Sequence, residues 1–212
     1  MMMKDLLILL CIHRHKGWMR ERTRIGDVLL TAAACDLVMA GRLVITNGKI
    51  DVPDTSSIGD PLLDDLLGCF AAMNGKRYLM AFGKLQFRKD KYYRMQIKQL
   101  CDKNMIAVRP LEWLGINWGK LYRVNRPDEL RKTITLMDRA LIYGRKPNAE
   151  IRLITEWLKK LNLLSSFYHD TELKSRSKKT VEKNRSVPYP TSNDTLAAIQ
   201  KQLGVAMNTN LG

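Results

Sequence analysis

The chain has 212 residues, 45% hydrophobic and 27% charged, a length that buries roughly 70% of its unfolded surface without staples and a composition that excludes full-length disorder and fibrous repeats. Thirty-six Lys and Arg against 21 Asp and Glu give +15, and the excess is one-sided: residues 1–83 carry 10 basic and 9 acidic side chains, residues 84–212 carry 26 and 12. Such a field attracts polyanions, of which nucleic acid and an anionic membrane surface are the common two, and it also serves plain solubility.

The N-terminal run Leu6–Ile12 is apolar but short, has no small-residue cleavage site and meets His13, Arg14, His15 and Lys16 directly, so it reads as a buried strand and not as a signal peptide. No stretch approaches the ~20 apolar residues of a membrane span, so any membrane contact is expected to be peripheral. A turn at Lys16-Gly17 leads to Trp18 and the basic segment Arg20–Arg24. From Ile25 to Ala40 apolar residues recur at three and four, predicting an amphipathic to nearly buried helix stopped by Gly41. Asn47-Gly48 between Leu43-Val44-Ile45 and Ile50-Asp51-Val52 predicts a hairpin, because a two-residue type I′ turn needs two positive φ angles. Asp60-Pro61 reads as an N-cap and first residue of a helix running to Gly75, with Asp64 and Asp65 at the positive end of its dipole; that placement accounts for the aspartate pair without catalysis.

Two more helices are expected over 77–104, the second from Asp90 to Asn104. After it, Met105–Val108, a turn region and Leu121–Val124 give the helix, strand, turn, strand outline of a winged-helix wing. Helices near 127–143 and 147–163 start at Pro127 and Pro147, with apolar faces Leu130, Ile134, Met137, Leu141 and Ile151, Ile154, Leu158, Leu161. Residues 169–193 are basic and poor in apolar side chains, which reads as an exposed or partly disordered linker before a last helix over Thr195–Met207. The domain reading is therefore a core over 1–168, a linker over 169–193 and a C-terminal helix within 194–212 packing on the same domain.

Cys11, Cys35, Cys69 and Cys101 form no CxxC pair, so they read as small buried thiols in a reducing compartment, consistent with a cytoplasmic protein. Cys11, His13 and His15 share a side of an extended segment but lack a fourth ligand, so no metal or other cofactor is expected. No Gly-rich phosphate loop, nucleophile elbow or paired metal ligands occur, so the chain does not read as an enzyme.

Two constellations remain. Residues 84–98 carry six basic side chains and one acidic one, interleaved with Phe87, Tyr92 and Tyr93; on a helix, Arg88, Lys91 and Arg94 lie on neighbouring turns, a geometry that grips phosphate or simply solvates a face. Leu111, Trp113, Leu114, Ile116 and Trp118 form an apolar loop flanked by Arg109, Lys120 and Arg123. That composition suits membrane-interface insertion, a protein interface, or indoles folded back into the core.

The order of LLILLCI, a Gly-aromatic turn, a small-residue helix ending in DLVMAGRL, a hairpin, GDPLLDDLL and then KQLCDKNMI resembles the Golgi phosphoprotein 3 family, over about residues 5–164. The resemblance implies a mainly α, single globular helical domain with short β-hairpins, and the short length is similar to the prokaryotic branch. Eukaryotic members are peripheral Golgi proteins that bind phosphatidylinositol 4-phosphate and glycosyltransferase tails, and a projecting apolar hairpin serves membrane contact or oligomerisation; Leu111–Trp118 matches it. The family's lipid pocket uses a tryptophan, a helix arginine and an arginine pair. Trp18 lies near the first, whereas Leu30, Asp90 and Tyr93 stand at the other three, which depart from the pattern. The resulting expectation is a non-enzymatic peripheral membrane or adaptor protein taking anionic headgroups on Trp18, Arg22, Arg24, Arg88, Lys91 and Arg94. The alternatives are a winged-helix-like nucleic-acid binder and an oligomeric scaffold joined through the 111–118 hairpin.

Overall fold

The structure, a computed structural model, describes residues 1–13, 16–20, 22–114, 116–164, 167, 175 and 177–182. Its elements are α1 (Met3–Cys11), α2 (Arg22–Met39), β1 (Val44–Thr46), β2 (Lys49–Asp51), α3 (Pro61–Ala71), α4 (Tyr78–Gln86), α5 (Lys89–Asp102), β3 (Ile106–Trp113), β4 (Ile116–Val124), α6 (Pro127–Leu141) and α7 (Ala149–Lys160). The fold is mainly α with two antiparallel hairpins, β1–β2 and β3–β4. The chain divides into two compact units, residues 2–4 with 26–96, and residues 5–25 with the described part of 97–187.

In the first of these units α2 is buried almost all round, from Val28 to Leu37, and the small side chains Ala32, Ala33 and Ala34 let neighbours pack close to its backbone. The β1–β2 hairpin forms as expected, with Asn47 at φ 53° and Gly48 at φ 73°. Asp60 caps α3 by accepting from Leu63 N at 3.1 Å, with Pro61 in the first turn. Asp64 accepts from Ser57 Oγ and Ile58 N, both at 2.7 Å, and so holds the segment before the helix. The helix stops at Ala71, short of the expected Gly75, where turns over residues 72–75 replace the last expected turn. Tyr78 stacks on Phe70 and packs on Phe82, with ring centroids 6.1 Å and 5.6 Å apart.

Lys4 is fully buried in this unit. Its Nζ lies 2.9 Å from Asp60 Oδ2 and donates to Gln96 Oε1 at 3.0 Å. Met3 N and Lys4 N donate to the two carboxylate oxygens of Asp36 at 2.8 and 3.0 Å, which satisfies donors that the start of α1 would otherwise leave unpaired.

The other unit corrects the first expectation. Leu6–Ile12 is not a strand: residues up to Cys11 are helical, and only Ile12 bridges Met19. A run buried on every side lacks the periodicity that separates helix from strand, so the sequence leaves the choice open. The turn that follows is held by His13 N to Trp18 O and Gly17 N to His13 O, both 2.8 Å. The β3–β4 hairpin is longer than the expected wing, since pairing runs from Ile106↔Val124 to Trp113↔Ile116 with a bulge at Leu111/Glu112. Helices α6 and α7 begin at Pro127 and after Asn148, whose side chain accepts from Ile151 N at 2.9 Å; both are shorter than expected. Residues 151–158 of α7 are all buried, including an Arg152–Glu156 pair at 3.7 Å.

Within the expected linker, residues 177–182 are helical, with Ser177 and Val181 buried and Glu182 2.6 Å from Lys159 Nζ. The rest of 169–193 except Ser175, and the expected C-terminal helix, lie outside the described residues. Cys11 and Cys35 are buried thiols as expected; Cys69 and Cys101 are half-exposed, because each sits at the edge of its helix's buried face.

Candidate functional site

The basic segment 84–98 becomes the end of α4, a short turn and the first turns of α5. Arg88, Lys91 and Arg94 are all exposed, while Tyr92 and Gln96 face inward. Arg88 and Lys91 converge on groups of α3. Lys91 Nζ donates to Asp65 Oδ1 at 2.7 Å, and Arg88 Nη1 lies 3.5 Å from Cys69 Sγ, which is also 3.6 Å from the Tyr92 hydroxyl. Partial burial pulls the Asp65 carboxyl upward, but hydrogen bonds from Lys91 and Tyr92 and the charges of Lys91 and Arg88 together hold it below its ordinary 3.8. Burial, then the Cys69 and Asp65 contacts, push the Tyr92 phenol far above its usual range, so it stays neutral and able to donate. Arg94 Nε donates to the Asp90 carbonyl at 3.3 Å, leaving the far edge of its guanidinium outward. These cations are legible in the sequence and their counter-charge is not, because Asp65 lies 26 residues away from Lys91 on another helix.

The other sequence-derived residues belong to the unit built on 5–25 and 97–187. Trp18 is 55% exposed on the turn after α1, with Lys16 Nζ 5.7 Å from its ring centroid. Arg24 is half-buried in the first turn of α2, and the Arg22 side chain lies outside what is described. His13 serves this turn, its Nδ1 accepting from Lys16 N at 3.2 Å; His15 lies outside the described residues.

At the tip of β3–β4, Leu114 is 79%, Ile116 58% and Trp118 62% exposed, and Leu111 is half-buried. The tip is strand nearly to its end: Ile116 and Trp118 are two apart on β4 and project from one face. Trp118 does not fold into the core; the Trp113 side chain lies outside what is described. Arg109, Lys120 and Arg123 stand exposed along the two strands.

A groove with no signature along the chain opens at the base of this hairpin, about 520 Å³ in volume. Ile12, Tyr122 and Leu130 form its nearly buried floor, Val124 and Ile134 are half-buried beside it, and Lys16, Arg123 and Arg131 are exposed. Gly17 closes one side, with Tyr122 N donating to Gly17 O at 2.7 Å.

A family model described as Golgi phosphoprotein 3 (GPP34) matches residues 2–202. The chain belongs to the Golgi phosphoprotein 3 family. A comparison with curated proteins gives no match. At the positions where the resemblance places this family's pocket arginines, Leu30 is buried in α2, Tyr93 is 8% exposed, and Asp90 is exposed and acidic. The cations of this Golgi phosphoprotein 3 family member stand beside Asp90 and Tyr93 along the chain, at Arg88, Lys91 and Arg94. Among the described residues no helix is long and apolar enough to cross a membrane, and no cluster of three His, Cys, Asp or Glu side chains could hold a metal.

Proposed function

We propose that the protein is a non-enzymatic peripheral membrane or adaptor protein that binds anionic phospholipid headgroups of the phosphatidylinositol 4-phosphate type, working at the cytoplasmic face of a membrane. The observation that carries this reading is the exposed apolar tip Leu114, Ile116 and Trp118 with Arg109, Lys120 and Arg123 along the strands behind it. An indole favours the headgroup region, aliphatic side chains enter the acyl boundary, and cations behind them meet anionic lipid. Arg88, Lys91 and Arg94 supply a second cationic face, and Trp18, Arg22 and Arg24 are the remaining headgroup candidates. Each cation near an anionic surface contributes roughly 1 kcal/mol, so a few together with an apolar anchor suffice for reversible attachment.

Sedimentation with neutral vesicles, generic anionic vesicles and phosphatidylinositol 4-phosphate vesicles of matched surface charge, over a range of salt, tests this. The expected result is salt-sensitive binding to anionic vesicles with a preference for the phosphoinositide, lost on Leu114→Ser with Trp118→Ser and weakened by reversing Arg88, Lys91 and Arg94 to Glu. Absence of binding to every vesicle overturns the reading. A drop in mass by light scattering for the tip variant would instead assign the hairpin to self-association, and salt-sensitive binding of duplex DNA would favour the nucleic-acid alternative.

A further inference from the structure

The groove at the base of β3–β4 is built unlike a bare cationic surface. Ile12 and Leu130 are 4% and 7% exposed at its floor, Ile134 and Val124 add aliphatic walls, and Lys16, Arg123 and Arg131 are exposed around it. No carboxylate stands among the described residues that line it. Arg131 Nη1 lies 3.4 Å from Asp128, and the Arg131 and Asp128 side chains are 75% and 82% exposed, so water screens the pair and Arg131 keeps most of its attraction for an anion. Lys16 Nζ sits over the Trp18 ring, which holds its charge near the groove without neutralising it.

An apolar floor with several exposed cations around it is complementary to one kind of small molecule, an acyl chain ending in a negative head. The volume of about 520 Å³ falls within the range of about 300–1,000 Å³ usual for small-ligand sites, which suits one chain with its head and not a two-chain phospholipid. We propose that this groove binds a monomeric single-chain anionic amphiphile, the chain lying over Ile12, Leu130 and Ile134 and the carboxylate or phosphate meeting Lys16, Arg123 and Arg131. The proposal goes beyond the membrane reading and does not rest on it, because the ligand is a monomer in solution and the hairpin tip plays no part.

Calorimetric titration of the full chain with dodecanoate below its micelle concentration, and with lysophosphatidate and lysophosphatidylcholine of the same chain length, tests it. One-to-one binding of both anions is expected, with the zwitterion and acetate each at least about tenfold weaker. Dodecanoate alone binding would assign the head as a carboxylate, and lysophosphatidate alone as a phosphate; both support the site. Arg123→Glu with Arg131→Glu should weaken the anions at least about tenfold, and these exposed positions leave folding intact, which a matching circular dichroism melt checks. Ile134→Asp should weaken dodecanoate, whereas Leu114→Ser with Trp118→Ser should leave it unchanged even where vesicle sedimentation is lost. Equal affinity for acetate and dodecanoate, absence of anion binding, or unchanged affinity in the double arginine variant overturns the proposal.

Discussion

Lys91 Nζ and Asp65 Oδ1 lie 2.7 Å apart, so the middle cation of the 88–94 face is tied to the first turns of α3. The face that reads in sequence as six cations against one acid therefore carries a second acid, and its pull on an anionic surface is that of the uncompensated remainder. Asp65→Asn removes one counter-charge. Affinity for anionic vesicles at low salt is expected to rise by about fivefold, the equivalent of roughly 1 kcal/mol per charge near the surface. Unchanged sedimentation of this variant would mean that Lys91 does not face the membrane.

The same pair gives an acid-stability signature. Asp65 has a folded pKa below its unfolded value, so its stabilising contribution is present above the unfolded pKa and is lost as pH falls through the folded one. In urea titrations the stability gap between wild type and Asp65→Asn is expected at pH 7 and should close below about pH 4. A gap that persists at pH 2 would show that the variant acts by packing and not by charge.

Lys4 is a fully buried charge in the unit of residues 2–4 and 26–96. Its ammonium is fully buried against Asp60 and Gln96, so Lys4→Met leaves a buried carboxylate without its cation and should destabilise by about 3–5 kcal/mol in chemical denaturation. Lys4→Met with Asp60→Asn keeps the α3 cap oxygen and removes the orphaned charge, so the double variant should cost less than Lys4→Met alone. A double variant worse than either single one would contradict the pairing.

Gly17 combines a φ of +67° with a neighbour that cannot yield: a Cβ there would stand 2.9 Å from the Tyr122 carbonyl oxygen. Gly17→Ala is expected to cost about 1–3 kcal/mol, read from the urea midpoint, and to disturb the groove as well. A neutral substitution would show that the 13–18 turn relaxes away from β4.

Thiol labelling should follow burial. Burial, reinforced by the Asp36 charge, pushes the Cys35 thiol far above its ordinary range, and Cys11 is also buried, so both should label only with global unfolding. Cys69 and Cys101 are half-exposed and should react first, Cys101 slowly because burial and then Asp102 raise its pKa. Mass spectrometry of a time course reads this directly; early labelling at Cys35 would contradict the packing of α2.

What the sequence determined by itself was local. Asn47-Gly48 specifies the β1–β2 turn because only residues tolerant of positive φ fit it, and Asp60-Pro61 specifies the start of α3 because the cap lies within three residues of the amide it serves. The cationic residues 88, 91 and 94 and the apolar stretch 111–118 were likewise visible, since helical spacing and composition need no tertiary information. Tertiary structure decided the rest. Leu6–Cys11 is helical where its uniform apolarity fits a strand equally, and the donors at the start of that helix are satisfied by Asp36, more than thirty residues on. Asp65 reaches Lys91 from another helix, and Lys16, Arg123 and Arg131 come to surround one groove from three separate segments. Caps and turns act over a few covalent bonds and can be read along the chain, whereas counter-charges, buried cations and grooves depend on which distant surfaces packing brings within a few ångströms.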